Sequence, residues 1–125
     1  MKVKELLIAL TMSLVSGAAI AGSADVVDVK MTRTGAELYR FDVTVRHPDT
    51  GWDHYADKWD VVAPDGRVLG TRTLLHPHVN EQPFTRSLSG VRIPGTVSRV
   101  MVRAHDNVDG YGKVTKTITI QAATE

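Results

Sequence analysis

An antiparallel β-sandwich is the fold that the sequence predicts, and three observations carry the prediction. Seven stretches alternate apolar and polar side chains or are rich in β-branched residues. Turn-forming residues separate them at intervals of about 8 to 15 positions. No segment of helical length shows a 3.6-residue apolar period. With 125 residues the chain makes one domain, a single antiparallel seven-stranded sandwich.

The first strand runs from Val26 to Arg33, with Val27, Val29 and Met31 on one face, and Thr34-Gly35 turns the chain. Glu37 to Arg46 carries the clearest alternation: Tyr39, Phe41, Val43 and Val45 face one way, Arg40, Asp42, Thr44 and Arg46 the other. It ends at His47-Pro48, where proline removes a ladder donor. A long connection follows to Asp57, with aspartates at 49, 53 and 57 spaced for one helical turn. Lys58 to Ala63 is the third strand, and Trp59, Val61 and Ala63 form its core face. Ala63-Pro64-Asp65-Gly66 is a type I turn, and Arg67 to Leu74 is the fourth strand. After a histidine-containing loop, Phe84 to Leu88 is the fifth strand, continued raggedly by Val91 to Ile93 as far as the Pro94-Gly95 corner. Ser98 to His105 is the sixth strand and Lys113 to Gln121 the seventh, joined by a turn-rich loop with Asn107 and Gly110 at positive φ.

The last third has a Val-x-Val-x-Ala strand (Val100-Met101-Val102-Arg103-Ala104), an Asp/Asn/Gly loop (Asp106 to Gly112) and a Thr-rich closing strand (Thr115 to Ile120). That succession resembles immunoglobulin-like and fibronectin type III modules, and the resemblance implies two packed sheets. The inter-sheet cysteines of antibody domains and a tyrosine corner are missing, which leaves strand order open. The whole chain is also similar to short secreted bacterial proteins with no assigned function.

Residues 1–21 read as an export leader. Lys2 and Lys4 precede an apolar run from Leu6 to Ile20, and Ala19-Ile20-Ala21 fits the small-x-small cleavage rule. Cleavage after Ala24 is the alternative. About 15 apolar residues fall short of the roughly 20 that cross a bilayer, so no membrane span is expected in the mature protein, residues 22–125. No cysteine follows the run, so a lipoprotein is not expected. The location expected is the periplasm. Without Lys2, Lys4 and Glu5 the 15 basic and 14 acidic side chains fall to 13 of each, a balance that argues against nucleic acid as partner. A domain of this size without cysteine is held by packing alone or by packing and a bound ion.

Alternate connections of an antiparallel sandwich share one end. Residues 47–57, 75–83 and 105–112 therefore lie together, and they contain all five histidines of the chain. In His76-Pro77-His78 the proline favours an extended backbone, and residues two apart then face one side. These residues point to a transition-metal site, zinc or copper, with His76 and His78 as core ligands. His105 or His54 would add a third ligand, and Glu81 or Asp106 an oxygen. In the alternative reading the histidines only tie loops together, and Trp52, Tyr55 and Tyr111 anchor a protein or glycan. Ser87 and Ser89 lie in a strand with no nucleophile elbow, no glycine-rich phosphate loop is present, and the Asp106-to-Gly110 stretch lacks the spacing of a calcium loop. The expected activity is non-enzymatic binding by a monomer, with a metal ion or an unidentified periplasmic protein as partner.

Overall fold

The structure, a computed structural model, describes residues 23–121; the leader expected over 1–21 lies outside them. The described residues contain no helix and form two antiparallel sheets. One is three-stranded: β1 (Asp25–Arg33), β2 (Leu38–Arg46) and β5 (Phe84–Arg92), in the order β1-β2-β5. The other is five-stranded and runs β4 (Val68–Thr73), β3 (Ala56–Val62), β6 (Arg99–Asp106), β7 (Gly110–Tyr111), with β8 (Lys116–Thr119) also paired to β6. Among the described residues, eight strands replace the expected seven. The additional strand, β7, lies in the expected turn-rich loop, where Tyr111 pairs with His105 near the end of β6; within the predicted last strand, Lys116 to Thr119 pair with Arg99 to Val102 further back.

Alternation becomes burial as the pleat requires. Tyr39, Phe41, Val43 and Val45 of β2 are all buried, and they meet Trp59 and Val61 of β3 and Val100, Val102 and Ala104 of β6 between the sheets. The first strand departs from its predicted face. A register shift between Val26 and Asp28 leaves Val27 without a partner, so Val26 is fully buried while Val29 and Met31 pack from the partly buried side. An inserted residue reverses the parity of everything before it. The helical turn expected from the aspartate spacing is absent. Gly51 and His54 form an isolated bridge instead, with Thr50 N–H donating to the His54 carbonyl at 3.0 Å.

A second register shift, between Ala56 and Lys58, leaves Asp57 as the extra residue of β3 opposite the end of β6. β6 itself reaches one residue further than predicted, to Asp106. Its side chains therefore alternate to the end: Ala104 and Asp106 are buried, and His105 stands on the outer face. The loop after it is tight. Gly110 has φ +82°, as predicted, but Asn107 does not, since no non-glycine residue among those described has positive φ.

The N-terminal edge is closed by an unusually near approach. Val26 N–H donates to the Val114 carbonyl at 2.9 Å, and Ala24 is completely buried. A Cβ on Gly112 would overlap the carbonyl of Ala24, so only glycine fits there. Gly112→Ala is expected to destabilise the domain by about 1–3 kcal/mol, the usual range for forcing extra atoms into filled space. A lower urea midpoint with an unchanged slope would show it.

Candidate metal centre

Three connections meet at one end of the sandwich, and a buried carboxylate joins them. Asp49, one residue past Pro48, accepts from His47 Nδ1 at 2.5 Å and from Ala56 N–H at 3.0 Å on the same oxygen. Its other oxygen accepts from His78 N–H at 2.7 Å. Gln82 adds a second tie: its carbonyl oxygen takes His47 N–H and its amide donates to the His78 carbonyl. The loop after β2 is thereby fixed to the loop before β5. Asn107 fixes the third, accepting from Tyr55 N–H at 2.9 Å and donating to the Trp52 carbonyl at 3.1 Å.

His47, His54 and Asp106 converge inside this frame, each offering one ligand atom, with all three atoms within 4.8 Å of one another. His47 and Asp106 are fully buried, and the His54 side chain is 26% exposed. The rings of His47 and His54 meet edge to face at 4.8 Å between centroids. His47 Nε2 and Asp106 Oδ2 lie 3.2 Å apart, yet they are not aligned as a hydrogen bond and neither has another partner. Buried polar atoms are rarely left so. His54 Nε2 lies 3.3 Å from Asp106 Oδ1 and 3.1 Å from Asp109 Oδ2.

The arrangement suits a cation. Two imidazole nitrogens and a carboxylate are a familiar set for divalent first-row metals. Ligands about 2.0–2.1 Å from a tetrahedral ion stand about 3.3–3.4 Å apart, close to the 3.2 Å between His47 Nε2 and Asp106 Oδ2, with all three ligand atoms within 4.8 Å. Asp49 supplies what metal-binding histidines usually have, a carboxylate on the other ring nitrogen that sets the tautomer and the ring plane. Asp106 is held by its own turn: Oδ1 accepts the N–H groups of Val108, at 2.9 Å, and Asp109, at 2.5 Å, and Oδ2 stays free.

Of the six metal ligands that the sequence suggested, the structure brings His54 and Asp106 together. The other four have different neighbours. His78 stacks on Phe84 at 3.9 Å between centroids, and its Nε2 lies 2.9 Å from Arg86 Nη2, so it faces a cation. Glu81 takes the same guanidinium at 3.3 Å, and His76 is exposed with its Nδ1 3.0 Å from the Pro77 carbonyl. The His76 and His78 rings do lie close, 4.7 Å between centroids. His105 is on the outer face, its Nδ1 2.6 Å from Asp57 Oδ1, because the bulge turns Asp57 outward.

The three candidate aromatics divide as well. Trp52, 65% exposed, packs edge to face on Tyr55 at 5.5 Å beside the cluster. Tyr111 belongs to the outer face of the five-stranded sheet, where Arg103 covers its ring and its hydroxyl donates to the buried Asp60 at 2.6 Å. His47 was not among the suggested ligands. The signal for it was present, since it starts the longest connection and lies two residues before Asp49. Open surface cavities of about 290 and 250 Å³ lie around Ala63–Gly66 and around Pro94, away from the histidines, and contain none of this chemistry.

No family model matches the chain. A protein of Halomicrobium mukohataei described as "Putative lipoprotein" is 45% identical over 89 residues, which cover 71% of this chain and 43% of that protein. The chain thus spans less than half the length of this relative. Among solved structures, a superoxide reductase (1Fe-SOR) from Giardia intestinalis aligns at 14% identity over 74% of this chain and 95% of its own, with a TM-score of 0.45. The superoxide reductase neelaredoxin from Archaeoglobus fulgidus aligns at 9% identity over 88% and 98%, and a hypothetical protein from Pyrococcus horikoshii OT3 at 14% over 80% and 90%, both with a TM-score of 0.49. Two of these three are named as reductases, so the expectation that the chain is not an enzyme is dropped. At such scores nothing of their activity carries over. The structure supports the coarser fold class: all-β and antiparallel, with two sheets among the described residues.

Two predictions follow from the frame around the cluster. Asp49→Ala strands three donors and is expected to cost roughly 3–5 kcal/mol, the range for breaking a buried charged network, measured by urea unfolding. His78 has its pKa held below the usual histidine value by burial first, then by the neighbouring Arg86 and His76. The unfolded chain therefore takes up a proton at higher pH than the folded one, and stability falls as pH drops through about 6.5. Melting temperature is expected to decrease from pH 7.5 to 5.5, and less steeply in His78→Gln.

Proposed function

We propose that this chain is an exported protein that binds a divalent transition metal through His47, His54 and Asp106, at the end of the sandwich where three connections meet. What carries the reading is the pair of fully buried, unpartnered atoms, His47 Nε2 and Asp106 Oδ2, placed beside Nε2 of the partly buried His54. An ion supplies the partner that both lack. Zinc, cobalt and nickel suit the set better than cuprous copper, since it contains oxygen and no sulfur.

Export rests on the basic and apolar start of the chain, and the lipoprotein description of the Halomicrobium protein is in keeping with it. Cleavage after Ala21 fits better than cleavage after Ala24, because Ala24 is buried and packs on Gly112. We further take the sandwich to be of immunoglobulin type. The division into a first-second-fifth sheet and a sheet centred on the third and sixth strands is close to the one such domains use, with the fourth strand moved to the second sheet. A second reading, capture of a protein or glycan by the rim, draws on the exposure of Trp52 against Tyr55.

The test is a melt of the chelator-stripped protein, residues 22–125, with and without zinc, cobalt, nickel or copper. Metal at ~100 times its dissociation constant should add about 2.7 kcal/mol. For a domain of this size the midpoint then rises by roughly ten degrees or more. The rise should vanish in His54→Ala, at a partly exposed position outside the apolar core, and should shrink at pH 5.5 as imidazoles protonate. No rise with any metal sinks the proposal, and a partner for Trp52 becomes the object of search.

A further inference from the structure

Resting on that metal reading, we propose that Asp109 is the fourth ligand, so that the loaded site is closed by two imidazoles and two carboxylates. His47 and Asp106 are fully buried, so an ion held between them and His54 meets solvent from one side only. On that side stands Asp109, its side chain 47% exposed and its Oδ2 3.1 Å from His54 Nε2. That is the nitrogen the ion would claim. Loading the site removes the ring proton through which His54 bonds Asp109, and it places a cation about 2 Å from that nitrogen. The carboxylate loses its hydrogen-bond partner and gains a charge to coordinate, at a separation close to the edge of a tetrahedron. Among the described residues its side chain has no other polar partner.

The local sequence builds this position. The turn after β6 is wound around the Asp106 carboxylate, which accepts the N–H of Asp109 itself, so the two acidic side chains keep a set spacing. Gly110, at φ +82°, lets the chain leave the turn directly into β7 and keeps Asp109 at its tip. A third residue type at 109 would leave the outer face of the ion to water. With Asp109 in place the donors are harder and carry two negative charges, which favours a divalent ion over a monovalent one.

Cobalt(II) is the probe, because its visible absorption is strong with four ligands and weak when water raises the coordination number. Affinity is measured by competition with a chromophoric chelator for the parent protein, Asp109→Ala, Asp109→Asn and His54→Ala. Asp109→Ala is expected to bind more than about a hundredfold more weakly, beyond what outer partners of a ligand usually contribute, with a weaker cobalt spectrum. Its melting temperature without metal should match the parent's. Asp109→Asn keeps the shape and one carbonyl donor, and should fall between the two. If Asp109→Ala binds cobalt with unchanged affinity and spectrum while His54→Ala does not bind, the three-residue site stands and Asp109 is no ligand. If the parent itself binds neither cobalt nor zinc, the metal reading has failed and this inference with it.

Discussion

The contact on which the rest of this structure depends is the buried ion-dipole hub at Asp49. A carboxylate removed from water is costly unless its lone pairs are met, and here three donors meet them: an imidazole, the first N–H of β3 and the N–H of His78. Those donors come from three separate stretches of chain. Satisfying one side chain therefore decides the orientation of His47, the start of a core strand and the seat of the loop before β5. Removing the hub would loosen all three at once. The domain has no disulfide to stand in for it.

The hub also explains why the histidines divide. His47 is fixed with one nitrogen on Asp49 and the other directed at Asp106, and His54 is brought against it by the short bridge at Gly51. His78, by contrast, contributes its backbone to the hub and leaves its ring to Phe84 and Arg86. Parity separates His105 from its neighbour: on β6, Asp106 points inward to His47 while His105 points outward to Asp57. Two adjacent residues thus serve opposite faces of one sheet. The outer face acquires its own polar order, in which Asp60 gathers Thr71, Arg103 and Tyr111.

Packing and polar order divide the work along the long axis. At one end and through the middle, the alternating faces of β2, β3 and β6 close around Trp59 and Phe41 as apolar cores do. At the other end the last layer between the sheets is polar: His47, Asp49 and Asp106, all buried. An apolar layer there would have served stability equally well. Two atoms of that layer, His47 Nε2 and Asp106 Oδ2, have no hydrogen-bond partner, a need that a cation there could meet.

Much of this was legible beforehand. The strand pattern of Tyr39 to Val45, the core role of Trp59 and the turn at Pro64-Asp65-Gly66 follow from side-chain period and turn chemistry, which are local. The gathering of five histidines at one end follows from antiparallel connectivity alone. Three things were not legible: the bulges that reset Val26 and Asp57, the extension of β6 to Asp106, and the choice of His47 over His76 and His78 as neighbour to His54. A bulge depends on what lies across the ladder, and a ring's partner depends on which side chains arrive from strands far away in the chain. The sequence by itself determined which residues would stand at that end. Only the tertiary structure decided which nitrogens and oxygens face each other there, because that is settled by register between strands, to which a single strand's pattern is blind.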